Sequence, residues 1–161
     1  MHGICEPVPI AILNACCITT HYRTIHCTMA ADAITQKAEP LPKLRDQQFI
    51  MYVGRPQPHK NLRRLIKVFQ LIRAKRPALK LLLVGKKEYH AKKLERWVRA
   101  NSVGNVVFTS FTTDGQLSWL YEHTAVYVFP SLSEGFGLPG LEATTHGAPV
   151  VSSNATCLLE V

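Results

Sequence analysis

The chain has 161 residues, a net charge of +8 at pH 7 and a pI near 9.4. A hydrophobic content of 47% is enough for one domain with a core and excludes a disordered chain. No apolar run approaches the ~20 residues that span a bilayer, and the basic balance favours an anionic partner without choosing among phosphates, nucleotides, nucleic acid and an acidic membrane surface.

The N-terminal apolar stretch from Val8 to Cys17 has no Lys or Arg ahead of it and is broken by Pro9 and Asn14. A signal peptide is therefore not expected. Of the five cysteines, Cys5, Cys16, Cys17 and Cys27 lie in the first 27 residues and Cys157 near the end. Their spacing matches no tetrahedral site with paired ligands, so no metal is expected. An odd number without an export signal favours reduced thiols and a cytoplasmic protein. Residues 1–48 show no sustained apolar period. Within them Ile10–Ile18 is a candidate strand, Met29–Lys37 a candidate short helix, and "KAEPLPKLRDQQ" a linker.

From residue 49 the pattern is regular. "FIMYVG" (Phe49–Gly54) is a continuous apolar run closed by glycine, as in a buried parallel strand. After the loop "RPQPHKN", Leu62, Leu65, Ile66, Phe69 and Ile72 recur at helical spacing, and Pro77 stops the helix. "LKLLLVG" (Leu79–Gly85) is a second strand, and Tyr89–Ala100 a second helix with Leu94, Trp97 and Val98 on one face. "NVVFTS" (Asn105–Ser110) is a third strand, followed by a short helix with Asp114 as N-cap and Leu117, Leu120 and Tyr121 inward. "AVYVFP" (Ala125–Pro130) is a fourth strand. "LPGLEATTHG" is a helix with Pro139 in its first turn and Gly147 past its end; "APVVSS" (Ala148–Ser153) is a fifth strand. Strands alternating with helices predict an α/β fold, a Rossmann-like parallel sheet with helices on both faces.

In such sheets ligands bind beyond the carboxyl ends of the strands. Two loops at that edge carry the chemistry. In the first, Arg55 offers a planar fork for phosphate oxygens and Lys60 a mobile point charge, at the start of a helix whose N–H groups add donors. In the second, "SEGFGLPGLEA", Gly135 and Gly137 remove side chains so that backbone donors can approach a ligand. Glu142, about one turn into the following helix, can accept from vicinal hydroxyls, and Glu134 from a sugar hydroxyl. Taken alone, each of these residues also fits an ordinary surface or turn position.

Residues 49–156 resemble the C-terminal, donor-binding domain of GT-B retaining glycosyltransferases, in the glycosyl transferases group 1 family (glycosyltransferase family 4, mannosyltransferase-like). "GRPQPHKN" resembles the family's Gly-Arg loop with a Lys-Asn a few residues on. "LLLVG" resembles its second strand, "VFPSLSEGFGLPGLEA" its E-x7-E signature with a Gly-Phe-Gly core, and "GAPVVSSN" the strand that follows. The resemblance implies one half of a GT-B fold: a nucleotide-sugar-binding domain over residues 49–161, truncated at its C-terminus, behind a segment 1–48 of unclear structure. It implies catalytic roles for Arg55, Lys60 and Glu134, and donor binding by Gly54, Arg55, Lys60, Glu134, Gly135, Phe136, Gly137, Leu138 and Glu142. Arg55 and Lys60 would hold and stabilise the leaving diphosphate, Glu142 the ribose hydroxyls and Glu134 the transferred sugar. The donor expected first is GDP-mannose, with UDP- or ADP-sugars as alternatives. No cofactor or metal is expected.

The acceptor domain with its own glycine loop and histidine has no counterpart in this sequence, and Ser110 stands where the family usually has glycine. A fragment that is inactive without that domain is the expectation, with a nucleotide-sugar-binding module that transfers nothing as the alternative. The cluster Lys86, Lys87, Lys92, Lys93, Arg96 and Arg99 is a candidate peripheral contact with the inner face of a membrane; no specific nucleic acid is expected, because aromatic interleaving is sparse.

Overall fold

The computed structural model describes residues 36–110 and 112–155. The candidate strand Ile10–Ile18 and nearly all of the candidate helix Met29–Lys37 lie outside them. Five strands form one sheet: β1 Phe49–Val53, β2 Lys80–Val84, β3 Val106–Thr109, β4 Val126–Phe129 and β5 Val150–Ser152. All pair in parallel, in the spatial order β3-β2-β1-β4-β5. Four helices connect them: α1 Leu62–Lys75, α2 Tyr89–Ala100, α3 Asp114–His123 and α4 Leu138–Thr145. This is the α/β, Rossmann-like architecture expected from the alternation of apolar runs.

The order runs outward from β1 in one direction, then returns to its other side. β1 and β4 are therefore neighbours whose connections leave towards opposite edges, which is the topological switch point. Side chains alternate across a strand, and the two faces take different helices. Phe49 meets Trp119 of α3 at 6.4 Å between ring centroids, and Tyr127 meets Tyr121 of α3 at 5.8 Å. Tyr52 and Leu83 instead line a small cavity with Leu62 of α1 and Ala91 of α2. Thus α1 and α2 cover one face, α3 and α4 the other.

α1 buries the five residues its periodicity marked, Leu62, Leu65, Ile66, Phe69 and Ile72, together with Val68. α2 buries Ala91, Leu94 and Val98; Trp97 is only half-buried, and the Arg63 guanidinium lies 5.5 Å from its ring centroid. The start of α3 differs from the sequence expectation. Thr113 is the N-cap and Asp114 the first helical residue: Gln116 N donates to Thr113 Oγ1 at 3.2 Å, and Thr113 N donates to Gln116 Oε1 at 3.3 Å. Ahead of β1, Glu39 N donates to Gly115 O at 2.9 Å, Thr113 Oγ1 donates to Glu39 Oε2 at 3.1 Å, and Leu44 is buried.

β1 and β2 end so close together that their terminal glycines are required. A Cβ on Gly85 would stand 2.5 Å from the Gly54 carbonyl oxygen. Gly54 N donates to Val84 O at 2.9 Å, locking the two strand ends side by side at the carboxyl edge.

Candidate functional site

The loops after β1 and β4 meet at the switch point. The β1 loop folds through a short 3-10 turn, Pro58–Lys60, and hands over to α1 at Asn61, a left-handed residue with φ 55° whose side chain caps nothing. The β4 loop ends at Gly137, also left-handed at φ 83°, which opens α4 without a side-chain cap. Neither helix start carries a side-chain cap, and each presents the partial positive charge of a helix N-terminus. The loops are tied by backbone, Leu132 N donating to His59 O at 2.8 Å.

Lys60 and Glu134 tie them again. Lys60 Nζ donates to Glu134 Oε1 at 2.5 Å, with side chains only 18% and 10% exposed. The same ammonium lies 5.9 Å from the Phe129 ring centroid at the end of β4. A largely desolvated ion pair at the carboxyl edge gives a carboxylate and an ammonium fixed relative to one another. Arg55 is placed otherwise. Its guanidinium is 63% exposed and turns to Glu88, the residue before α2, at 3.9 Å. The structure thus pairs Lys60 with Glu134 and Arg55 with Glu88.

Glu142 lies in the second turn of α4 and accepts from Tyr121 OH of α3 at 3.1 Å on Oε2. His146, one turn on, brings Nδ1 to 2.8 Å from Glu142 O. Three buried tyrosines lie near the two carboxylates, Tyr52 on the α1–α2 face of the sheet and Tyr121 and Tyr127 on the α3–α4 side. Burial, above all, holds Tyr127 well above the ordinary phenol value; Tyr52 and then Glu142 and Glu134 push it further up. Tyr121 is raised by burial, then by Tyr127 and Glu142. Tyr52 is raised by burial and then by Glu134. All three phenols therefore stay neutral over the ordinary pH range, and Tyr121 meets Glu142 as an uncharged donor.

Among the glycines, Gly137 is demanded by its φ. Gly135 is not: its φ is outside the left-handed region, and an added Cβ would meet nothing within 4 Å. Beside it Leu132, Phe136 and Leu138 are exposed, leaving an apolar rim around the ion pair. Of the expected residues, Gly54, Arg55, Lys60, Glu134, Gly135, Phe136, Gly137 and Leu138 lie in the two loops and the helix start at the carboxyl edge, and Glu142 lies one turn into α4. Tyr52, Tyr121 and Tyr127 were not found from the sequence. Each reads there as an apolar core position, and only its contacts reveal the polar tip.

Among the described residues, no three His, Cys, Asp or Glu side chains gather as a metal site, and no helix is long and apolar enough to cross a membrane.

The family model for glycosyl transferases group 1 matches residues 33–161. The chain belongs to that family. It is 37% identical over 131 residues to O-antigen chain mannosyltransferase B of Escherichia coli, a match covering 77% of this chain and 34% of that protein. Sucrose-phosphate synthase from Thermosynechococcus elongatus superposes with a TM-score of 0.62 at 30% identity, over 70% of this chain and 29% of that one. The C-terminal domain of a glycosyl transferase group 1 family protein from Francisella tularensis gives a TM-score of 0.60 at 24% identity, over 67% and 58%. The chain thus spans about a third of the curated relative it matches, and its fold is the Rossmann-like half of a GT-B glycosyltransferase.

Proposed function

We propose that this group 1 domain binds a nucleotide diphosphate sugar at the switch point, for transfer of a hexose to an acceptor held by a second domain. The observation that carries the reading is the Lys60–Glu134 pair, which joins the two loops that lead into helices without side-chain caps at the switch point. The diphosphate takes the place of Glu134 as partner of the Lys60 ammonium, and the α1 N–H groups meet its oxygens. Arg55 swings from its exposed contact with Glu88 to the same anion. Glu142 accepts from the ribose hydroxyls, and Glu134, released from Lys60, accepts from the sugar. The backbone of Gly135, Phe136, Gly137 and Leu138 approaches the donor over the open face of Gly135.

Transfer breaks the bond between the anomeric carbon and a diphosphate oxygen and forms one from that carbon to an acceptor hydroxyl oxygen, whose proton passes to the leaving diphosphate. The negative charge that develops on the leaving oxygens is stabilised by Lys60, Arg55 and the helix starts, without a metal. The mannosyltransferase relative supports mannose as the sugar; GDP-mannose is the donor proposed first, with UDP- or ADP-sugars as the alternatives. The reading places the protein in the cytoplasm. On its own this half binds donor and transfers nothing.

Glu142→Ala and Arg55→Ala test the site. Each removes a hydrogen bond to or from a charged group, an interaction that contributes about 1.5–3 kcal/mol, so GDP affinity is expected to fall by roughly tenfold or more by calorimetry. Unchanged affinity in both variants would remove these residues from the site.

A further inference from the structure

The net charge is unevenly placed. Residues 55–99 hold fifteen of the nineteen Lys and Arg residues, while residues 100–161 hold none. The topology converts this into two faces. α1 and α2, side by side through Arg63 and Trp97, carry the cations; α3 and α4 carry only Asp114, Glu122 and Glu142.

A solvated face normally interleaves both signs. α1 contains no Asp or Glu at all. Arg63 and Arg64 stand in its first turn, where the helix dipole disfavours cations, and Arg63 and Lys67 are like charges four apart. On α2, Lys92 and Arg96 repeat that spacing; Glu95 is the one acid within the helix, and it is shared by Arg99 at 2.9 Å and Lys87 at 3.9 Å. These placements oppose helix stability, so stability alone does not account for them.

Apolar side chains are set in the same rows. Leu71, 63% exposed, lies on α1 between Lys67 and Lys75, four residues from each. Tyr89, 66% exposed, begins α2 one turn before Lys92 and Lys93. Cations with interspersed large apolar groups are the chemistry of a bilayer interface, where the charges meet lipid phosphates and the apolar groups enter the acyl boundary. A nucleic-acid duplex has no use for Leu71.

We propose that the α1–α2 face docks this domain on an anionic lipid bilayer. Lys86 and Lys87, just after β2, carry the basic surface to the carboxyl edge, so the loops of the proposed donor site lie beside the membrane. The proposal is independent of what those loops bind.

Vesicle co-sedimentation tests it, comparing phosphatidylcholine alone with phosphatidylcholine containing about 30% phosphatidylglycerol. The chain is expected to sediment with the anionic vesicles and not with the neutral ones, and to be released at about 0.5 M salt. Combined Lys67→Glu, Lys92→Glu and Arg96→Glu is expected to weaken binding at least about tenfold. Circular dichroism checks that this variant folds. The pair Leu71→Ser and Tyr89→Ser keeps every charge and is expected to lower vesicle binding while leaving retention by an oligonucleotide duplex unchanged. Equal sedimentation with neutral vesicles would overturn the proposal, as would indifference to the charge reversals. Tight duplex binding with no effect of the serine pair on vesicles would assign the face to nucleic acid instead.

Discussion

Gly135 separates what the fold needs from what a ligand needs. Nothing in the protein approaches its missing side chain within 4 Å, so Gly135→Ala is expected to leave thermal stability within about 1 kcal/mol of the parent. The same methyl group would stand in the path of a donor lying on the loop. Loss of nucleotide-sugar binding with an unchanged melting temperature is the expected pair of results; unchanged binding would move the donor off this loop. Tyr121 makes a second separation. Its hydroxyl donates to Glu142 Oε2 at 3.1 Å and fixes one carboxylate oxygen, leaving the other for the ribose. Tyr121→Phe is expected to weaken GDP binding severalfold while 2′-deoxy-GDP binds as before, narrowing the difference between the two. An equal loss for both nucleotides would mean Tyr121 supports only packing.

The same residues show why part of the site was legible and part was not. Arg55, Lys60, Glu134 and Glu142 sit in short motifs whose neighbours are close in sequence. Tyr121 and Glu142 are 21 residues apart on different helices, and Lys60 and Glu134 are 74 apart. No local spacing encodes those partners. They follow from strand order, which places β1 beside β4.

At the level of elements, unbroken apolar runs located the five described strands, closed by glycine in β1 and β2, because a parallel strand covered on both faces needs such a run. The helix starts were harder. "TTD" offers three N-cap residues in succession, and Thr113 prevails because Gln116 three residues on completes a reciprocal cap. Thr113 also donates to Glu39, fastening the segment ahead of β1 onto α3. Thr113→Ala is therefore expected to cost about 1 kcal/mol, read as a fall in the urea midpoint with an unchanged slope. Asp114→Ala is expected to cost less. The reverse order would restore Asp114 as the cap.

For the whole molecule, the three buried tyrosines make stability depend on alkaline pH. Their folded values lie above the ordinary 10.0, so between the two the unfolded chain has lost protons that the folded chain keeps. The stabilisation is fully present below that ordinary value and declines as pH rises past it. Unfolding midpoints are expected to hold steady up to about pH 9 and to fall steeply by about pH 11. Tyrosinate absorbance of the buried residues should appear only with unfolding.

The β1 and β4 loops are proposed to hold a nucleotide diphosphate sugar between them. The most direct measurement is a calorimetric titration of the chain with GDP-mannose, and with UDP-glucose and ADP-glucose for comparison. Saturable binding of one molecule per chain, competed by the matching free diphosphate and lost in Glu142→Ala, is the predicted result. Absence of heat with all three donors, from a chain whose circular dichroism shows it folded, would contradict the account.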